Sequence, residues 1–195
     1  MDIAEEALSV GPQRARRAIG AMFFAVFGGA WLTLGVVRAA PRNVLALTLI
    51  VVGSAMIFSI ALRSYREFQG ALATEPDSPE KRRASRWFNI INAGQWLAIL
   101  IVGNVLANMG LSAWVIPSAI FIVGLHLLPL AGILSNPSHY VTGSALMLLA
   151  AGYPRLSSAG PDDPVGCLGA GLILWGSALW AVTGGASPER ADPGS

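Results

Sequence analysis

The chain alternates between long apolar blocks and short polar joints. Residues 18–37, 44–62, 87–107, 112–134, 138–153 and 165–183 contain no Asp, Glu, Lys or Arg. A bilayer core about 30 Å thick is crossed by a helix of about 20 apolar residues, so each block predicts a span, the fifth being short. Lipid offers no partner for a bare backbone, which favours helices that satisfy their own amides. The pattern therefore predicts an all-α, polytopic membrane protein built as a bundle of six transmembrane helices.

The joints define the rest of the organisation. Residues 1–17 read as a polar N-terminal head ending in Arg14, Arg16 and Arg17. Residues 63–86 read as the one substantial polar loop, with Pro76 and Pro79 around Asp77 and a basic cluster at Lys81, Arg82, Arg83 and Arg86. Residues 18–184 form a single transmembrane domain, and the Pro/Gly/Ser-rich residues 185–195 read as a disordered tail.

Composition agrees and narrows the class. The 195 residues are 54% hydrophobic and 12% charged, with a mean hydropathy of +0.59. A soluble domain carries about 25% charged residues, and six spans leave no room for one. The net charge of +2 raises the question of nucleic acid, but the basic residues are membrane flanks, so no nucleic-acid partner is expected. The partner is the lipid bilayer.

Basic residues in short loops set orientation. With the N-terminus inside, the inner side holds ten (Arg14, Arg16, Arg17, Arg63, Arg66, Lys81, Arg82, Arg83, Arg86, Arg190) and the outer side three (Arg38, Arg42, Arg155). Both termini are therefore expected in the cytoplasm. Trp87 and Trp180 fall near the inner interface and Trp114 and Tyr153 near the outer, as amphipathic rings prefer. Arg outnumbers Lys twelve to one amid abundant Ala and Gly. That is the usage of a GC-rich bacterial genome, and the expected location is the bacterial inner membrane. The Arg-flanked first span also admits a cleaved signal peptide, although its apolar part exceeds the usual core of about 7–15 residues.

Candidate chemistry concentrates in spans three to five. Asn89, Asn92 and Gln95 recur every third residue, with Trp96 beside them, on one broad helix face. An unpaired amide in hydrocarbon costs several kcal/mol, so that face should look into protein or water. His126 is the only ionisable group deep in any span. Folding spans three and four about Gly110 sets it opposite position 94, at the depth of Asn92 and Gln95, about 10 Å from the cytoplasmic side at 1.5 Å per residue. Pro129 removes a backbone bond to Leu125 and frees a carbonyl beside the imidazole. Tyr140 and Thr142 begin span five. Together Asn89, Asn92, Gln95, His126, Tyr140 and Thr142 define a candidate ligand pocket open to the cytoplasm.

A plainer alternative stands beside it. Buried amides and neutral histidines also bond helices together, contributing about 0.6 kcal/mol on average, and His139 reads as a surface residue at the interface. Small residues at helical spacing, Gly28 and Gly29 in span one and Gly166, Gly169, Gly171 and Gly176 in span six, predict close helix packing inside the chain or, alternatively, a homodimer face.

The inventory excludes several sharper functions. No lysine lies in a span to carry a retinal Schiff base, and no carboxylate lies there for proton coupling. His126 and His139 differ in depth by about 10 Å at the helical rise, which is wrong for bis-histidine haem. Two separated histidines fall short of the three or four ligands of a zinc site. Asp162 and Asp163 lack a second acidic motif. Cys167 is alone, so no internal disulfide forms. Neither metal nor cofactor is expected.

The run Gly124-Leu125-His126-Leu127-Leu128-Pro129-Leu130-Ala131, followed by Pro137-Ser138-His139-Tyr140-Val141-Thr142-Gly143, resembles a pattern in a group of bacterial six-helix integral membrane proteins. There a Gly-Leu-His-aromatic-Leu-Pro-Leu-Ala helix precedes a Pro-x-Tyr-Tyr-x-Thr-Gly segment. Leu127 stands here in place of the aromatic, and His139 in place of the first tyrosine. The resemblance covers spans three to five. It implies the fold and a focus on His126 but carries no assigned activity.

The leading functional expectation is binding or transport of an uncharged or lipid-like small molecule at this pocket, since amides without fixed charge suit such a ligand better than an ion. The alternatives are a membrane-embedded enzyme using His126 as acid or base on a lipid-like substrate, with Tyr140 assisting, and an accessory or immunity subunit acting through helix contacts. A lone histidine with no carboxylate to orient it weighs against catalysis.

Overall fold

The computed structural model describes residues 3–74 and 77–184, with side chains from Gly11 onward, so the tail at 185–195 lies outside the described residues. Six α-helices account for almost all of it: α1 (Ile3–Ala39), α2 (Val44–Ala73), α3 (Pro79–Asn108), α4 (Val115–Ile133), α5 (Ser138–Leu156) and α6 (Val165–Thr183). Two short 3-10 turns, Ser112–Trp114 and Gly160–Asp162, complete the chain, and there is no strand among the described residues. Five helices are long and apolar enough to cross a membrane. The exception is α5, whose 19 residues suffice in length. Its first two turns carry Ser138, His139, Tyr140, Thr142 and Ser144, and these polar groups lower its hydropathy.

Two expected polar regions turn out to be helix. The N-terminal head at residues 1–17 is, from Ile3, the first part of a 37-residue α1, which at 1.5 Å per residue is about 55 Å long. The loop at residues 63–86 shrinks to a link of five residues, 74–78, because α2 continues to Ala73 and α3 begins at Pro79. The residues concerned are Arg, Glu, Gln and Ala, polar or small but good helix formers. The extensions also pack: a Cβ on Gly11 would sit 2.8 Å from Ala71 Cβ, and the Arg14 guanidinium lies 5.2 Å from the Phe68 ring centre. Ser78 starts α3 by accepting the Lys81 N–H at 3.2 Å, with Pro79 in the first turn where its missing N–H costs nothing.

The main helix contacts run in the order α2, α1, α6, α5, α4, α3, with α6 also touching α2 and α4, and this row is not straight, since five residues link α2 to α3. The middle of this row is tied by small residues. A Cβ on Gly171 would lie 2.7 Å from Gly28 O, and one on Gly124 would lie 2.7 Å from Gly143 O, so α1–α6 and α4–α5 each cross at near backbone contact. Gly28, Gly29, Gly166, Gly169 and Gly171 all meet neighbours within the chain, whereas Gly176 faces open space. The glycine stripes thus serve internal packing. Trp175 fills the space that the glycines leave: its ring covers Gly28 and Gly53, and its Nε1–H donates to Ala25 O at 3.2 Å. The buried core combines Ile120, Leu127, Leu130, Leu146, Tyr153 and Leu174 near the α4–α5–α6 junction with alanines of α1 against Ile57 and Ala61 of α2.

At the far end of the row, α3 has α4 as its one substantial helix neighbour and buries none of its residues.

Candidate functional site

The α3–α4 hairpin turns at Gly110, whose φ of +73° suits glycine, and Leu111 N–H closes the end of α3 on Leu106 O at 2.8 Å. Its register follows from one close approach: a Cβ on Gly103 would lie 3.8 Å from Val115 Cγ1. Eleven residues along α4 from Val115 is His126, and eleven residues back along α3 from Gly103 is Asn92. The level of His126 is therefore that of Asn92, two residues from the expected position 94 and about 17 Å from the Gly103–Val115 level at the helical rise.

The faces agree with the levels. Val115, Ala119, Ile122 and His126 form one half-buried stripe of α4. On α3, the half-buried positions include Phe88, Ile91, Asn92, Gln95, Ala98 and Val102. Because α4 is the main neighbour of α3, these half-buried stripes mark the sides by which the two helices meet, the α3–α4 seam, and Asn92 shares the face of Gly103 at eleven residues' spacing. Asn89 is exposed and belongs to the outer face of α3 with Trp96.

His126 Nδ1 is hydrogen-bonded to Val123 O, one turn back on its own helix. A carbonyl only accepts, so Nδ1 carries the proton and, in the neutral ring, Nε2 presents a lone pair. The amides opposite are not engaged elsewhere. Asn104 donates to Leu100 O at 2.7 Å, but Asn89, Asn92 and Gln95 make no hydrogen bond among the described residues. His126, Asn92 and Gln95 are each half-buried, the first presenting an acceptor nitrogen and the other two carboxamides without a partner among the described residues. Pro129 sits within a continuous α4, so its missing N–H leaves the carbonyl of Leu125, the residue before His126, without its usual donor.

The two α5 candidates lie apart from this seam. Thr142 is 2% exposed, donates to Ser138 O at 3.0 Å and shares a 2.7 Å hydrogen bond with Ser177 of α6. That geometry makes it a bond between α5 and α6. Tyr140 is 49% exposed, with its hydroxyl beside Gly132 near the cytoplasm-expected end of α4. The register thus sets Asn92 and His126 at one level of the α3–α4 pair, while Thr142 is bonded to α6 and Tyr140 lies beside Gly132.

His139 differs from its expected place at the surface. It is 7% exposed, its ring meets Phe24 of α1 edge-on at 5.6 Å, and its Nδ1 is buried without a partner. Its position at the first turn of α5 suggested an interface, but the Phe24 side chain of α1 covers the ring. Tyr153 is likewise buried, donating to Pro161 O at 3.1 Å. Ser177 and Phe24 escaped sequence reasoning because their roles come from helices distant in the chain, and no short-range spacing signals them. No group of three or more metal-ligating side chains exists among the described residues.

No family model, curated protein or solved structure matches this chain.

Proposed function

We propose that this chain is a six-span protein of a bacterial inner membrane, with both termini in the cytoplasm, that binds an uncharged or lipid-like small molecule at the α3–α4 seam. Antiparallel packing of α1 on α6, through Gly28–Gly171 and Gly35–Leu168, supports placing both ends on one side, and the ten-to-three excess of basic residues supports the cytoplasm as that side. The polar turns of α5 are flanked by α4 and α6, which suits a sixth span shielded from lipid.

The observation that carries the binding reading is the unpartnered pair of Asn92 and Gln95 at the level of a His126 ring whose free nitrogen accepts. In hydrocarbon such groups cost several kcal/mol each until something bonds to them. A ligand bearing a hydroxyl on an apolar body satisfies both kinds of group: its O–H donates to His126 Nε2, and the amide N–H groups donate to its oxygen. Because α3 buries none of its residues, a ligand at this contact reaches it from the bilayer, which favours binding of an amphiphile over passage of a solute.

The test is to purify wild-type protein, His126→Ala and Gln95→Leu in mild detergent and quantify by mass spectrometry the small molecules that co-purify. The expected result is an amphiphile retained by wild type and lost from both variants at unchanged thermal stability. Equal complements in all three proteins contradict the proposal.

A further inference from the structure

The outer face of α2 carries a second feature, built from residues other than those of the α3–α4 seam. A recess on the outer face of α2 is lined by Val52, Ala55, Met56, Ser59, Ile60 and Arg63. An adjoining recess shares Ala55 and Ser59 with it and continues between α2 and α1 to Ile50, Gly29 and Thr33. Small side chains make the depression: Ala55 on α2, and Gly29, whose backbone lets Ser54 approach. From Arg63 to Ile50 the groove follows 13 residues of α2, which is about 20 Å at the helical rise. That exceeds half of a hydrocarbon core about 30 Å thick, enough for one acyl chain of one leaflet.

Polarity along this groove is graded. Its long part is apolar. Ser59 sits one turn from the end, and its hydroxyl makes no hydrogen bond among the described residues. Arg63 closes the end, exposed and without an ion pair or hydrogen bond among the described residues. Glu67, one turn farther from the apolar stretch, makes no ion pair with it. Arg66, one turn away on α2, is also exposed, and with Arg83 and Arg86 it gives this end of the bundle an excess of basic over acidic residues.

We propose that this groove binds an acidic phospholipid of the surrounding bilayer. Its phosphate sits on the Arg63 guanidinium, whose planar fork matches phosphate oxygens in pairs. The Ser59 hydroxyl donates to an ester oxygen one turn deeper, and an acyl chain lies along Met56, Ala55 and Val52. The basic neighbours favour a lipid of net negative charge over a zwitterionic one.

The experiment follows the melting temperature of the purified full chain, by tryptophan fluorescence, with phosphatidylglycerol, phosphatidylcholine or glycerol phosphate added. Phosphatidylglycerol should raise Tm of the wild type by several degrees, phosphatidylcholine much less and glycerol phosphate not at all. Arg63→Ala and Ala55→Phe should each remove most of the shift, and Arg66→Ala should keep it. These positions are exposed, so the variants are expected to fold, and their Tm without lipid checks this. A shift retained in Arg63→Ala, or lost equally in Arg66→Ala, overturns the proposal in favour of diffuse attraction to the basic end. A shift produced by glycerol phosphate alone, or one indifferent to Ala55→Phe, shows that the groove takes no part and overturns it equally.

Discussion

At the level of single residues, this protein relies on what is absent as much as on what is present. Gly171 and Gly28 let two helices meet at their carbonyls, and Trp175 fills the hollow beside them. Gly171→Ala places a methyl 2.5 Å from Leu32 Cγ and 2.7 Å from Gly28 O, so α1 and α6 must separate, at an overpacking cost of about 1–3 kcal/mol. Gly94 has nothing within 4 Å of an added Cβ. Gly94→Ala should therefore be neutral or slightly stabilising. Thermal unfolding of the two variants in one detergent checks the contrast, and equal Tm values would contradict the crossing.

Residue type alone distinguished these glycines poorly. Their spacing announced close packing, but only the fold shows which partners they meet. The two histidines divide in the same way. His126 was legible because it is a lone imidazole in a long uncharged block, and its helix face and depth follow from periodicity. His139 was not, because its burial depends on Phe24, more than a hundred residues away in sequence. Thr142 is similar: its bond to Ser177 contributes on the order of 0.6 kcal/mol, as such bonds in membranes do, and binds α5 to α6.

Among the elements, the apolar blocks gave the helices and the turns between them, since a run of uncharged residues long enough to span has few alternative structures. The helix ends were less legible. Polar composition suggested a head at residues 1–17 and a loop at 63–86, yet Arg, Glu, Gln and Ala continue a helix readily once an adjacent helix shields one face. Gly11 against Ala71 and Arg14 over Phe68 provide that shield. Conversely, α5 is a helix by every backbone criterion but too polar in its first turns to be recognised as a span by hydropathy. Two of its polar side chains are buried against neighbouring helices, Thr142 on Ser177 and His139 on Phe24, while Tyr140 and Ser144 are exposed.

For the whole molecule, packing is densest between α1, α2 and α6 and between α4 and α5, and the two proposed sites lie on the outer face of α2 and on the more thinly packed α3–α4 pair. That arrangement suits a protein whose ligands arrive through the bilayer. The proposed topology is checked by replacing Cys167, which is buried, with Ala and introducing single cysteines at Ser78 and Ser158. In intact cells, a membrane-impermeant thiol reagent should label position 158 and spare position 78; the reverse pattern would contradict cytoplasmic termini. The central claim is that His126 and the α3 carboxamides meet at one level inside the membrane, and paired cysteines test it most directly. With Cys167 replaced, a short bis-thiol cross-linker applied to native membranes should join cysteines at positions 92 and 126 efficiently and those at 89 and 126 poorly. Efficient joining of 89 with 126, or none of 92 with 126, would mean that the seam does not exist.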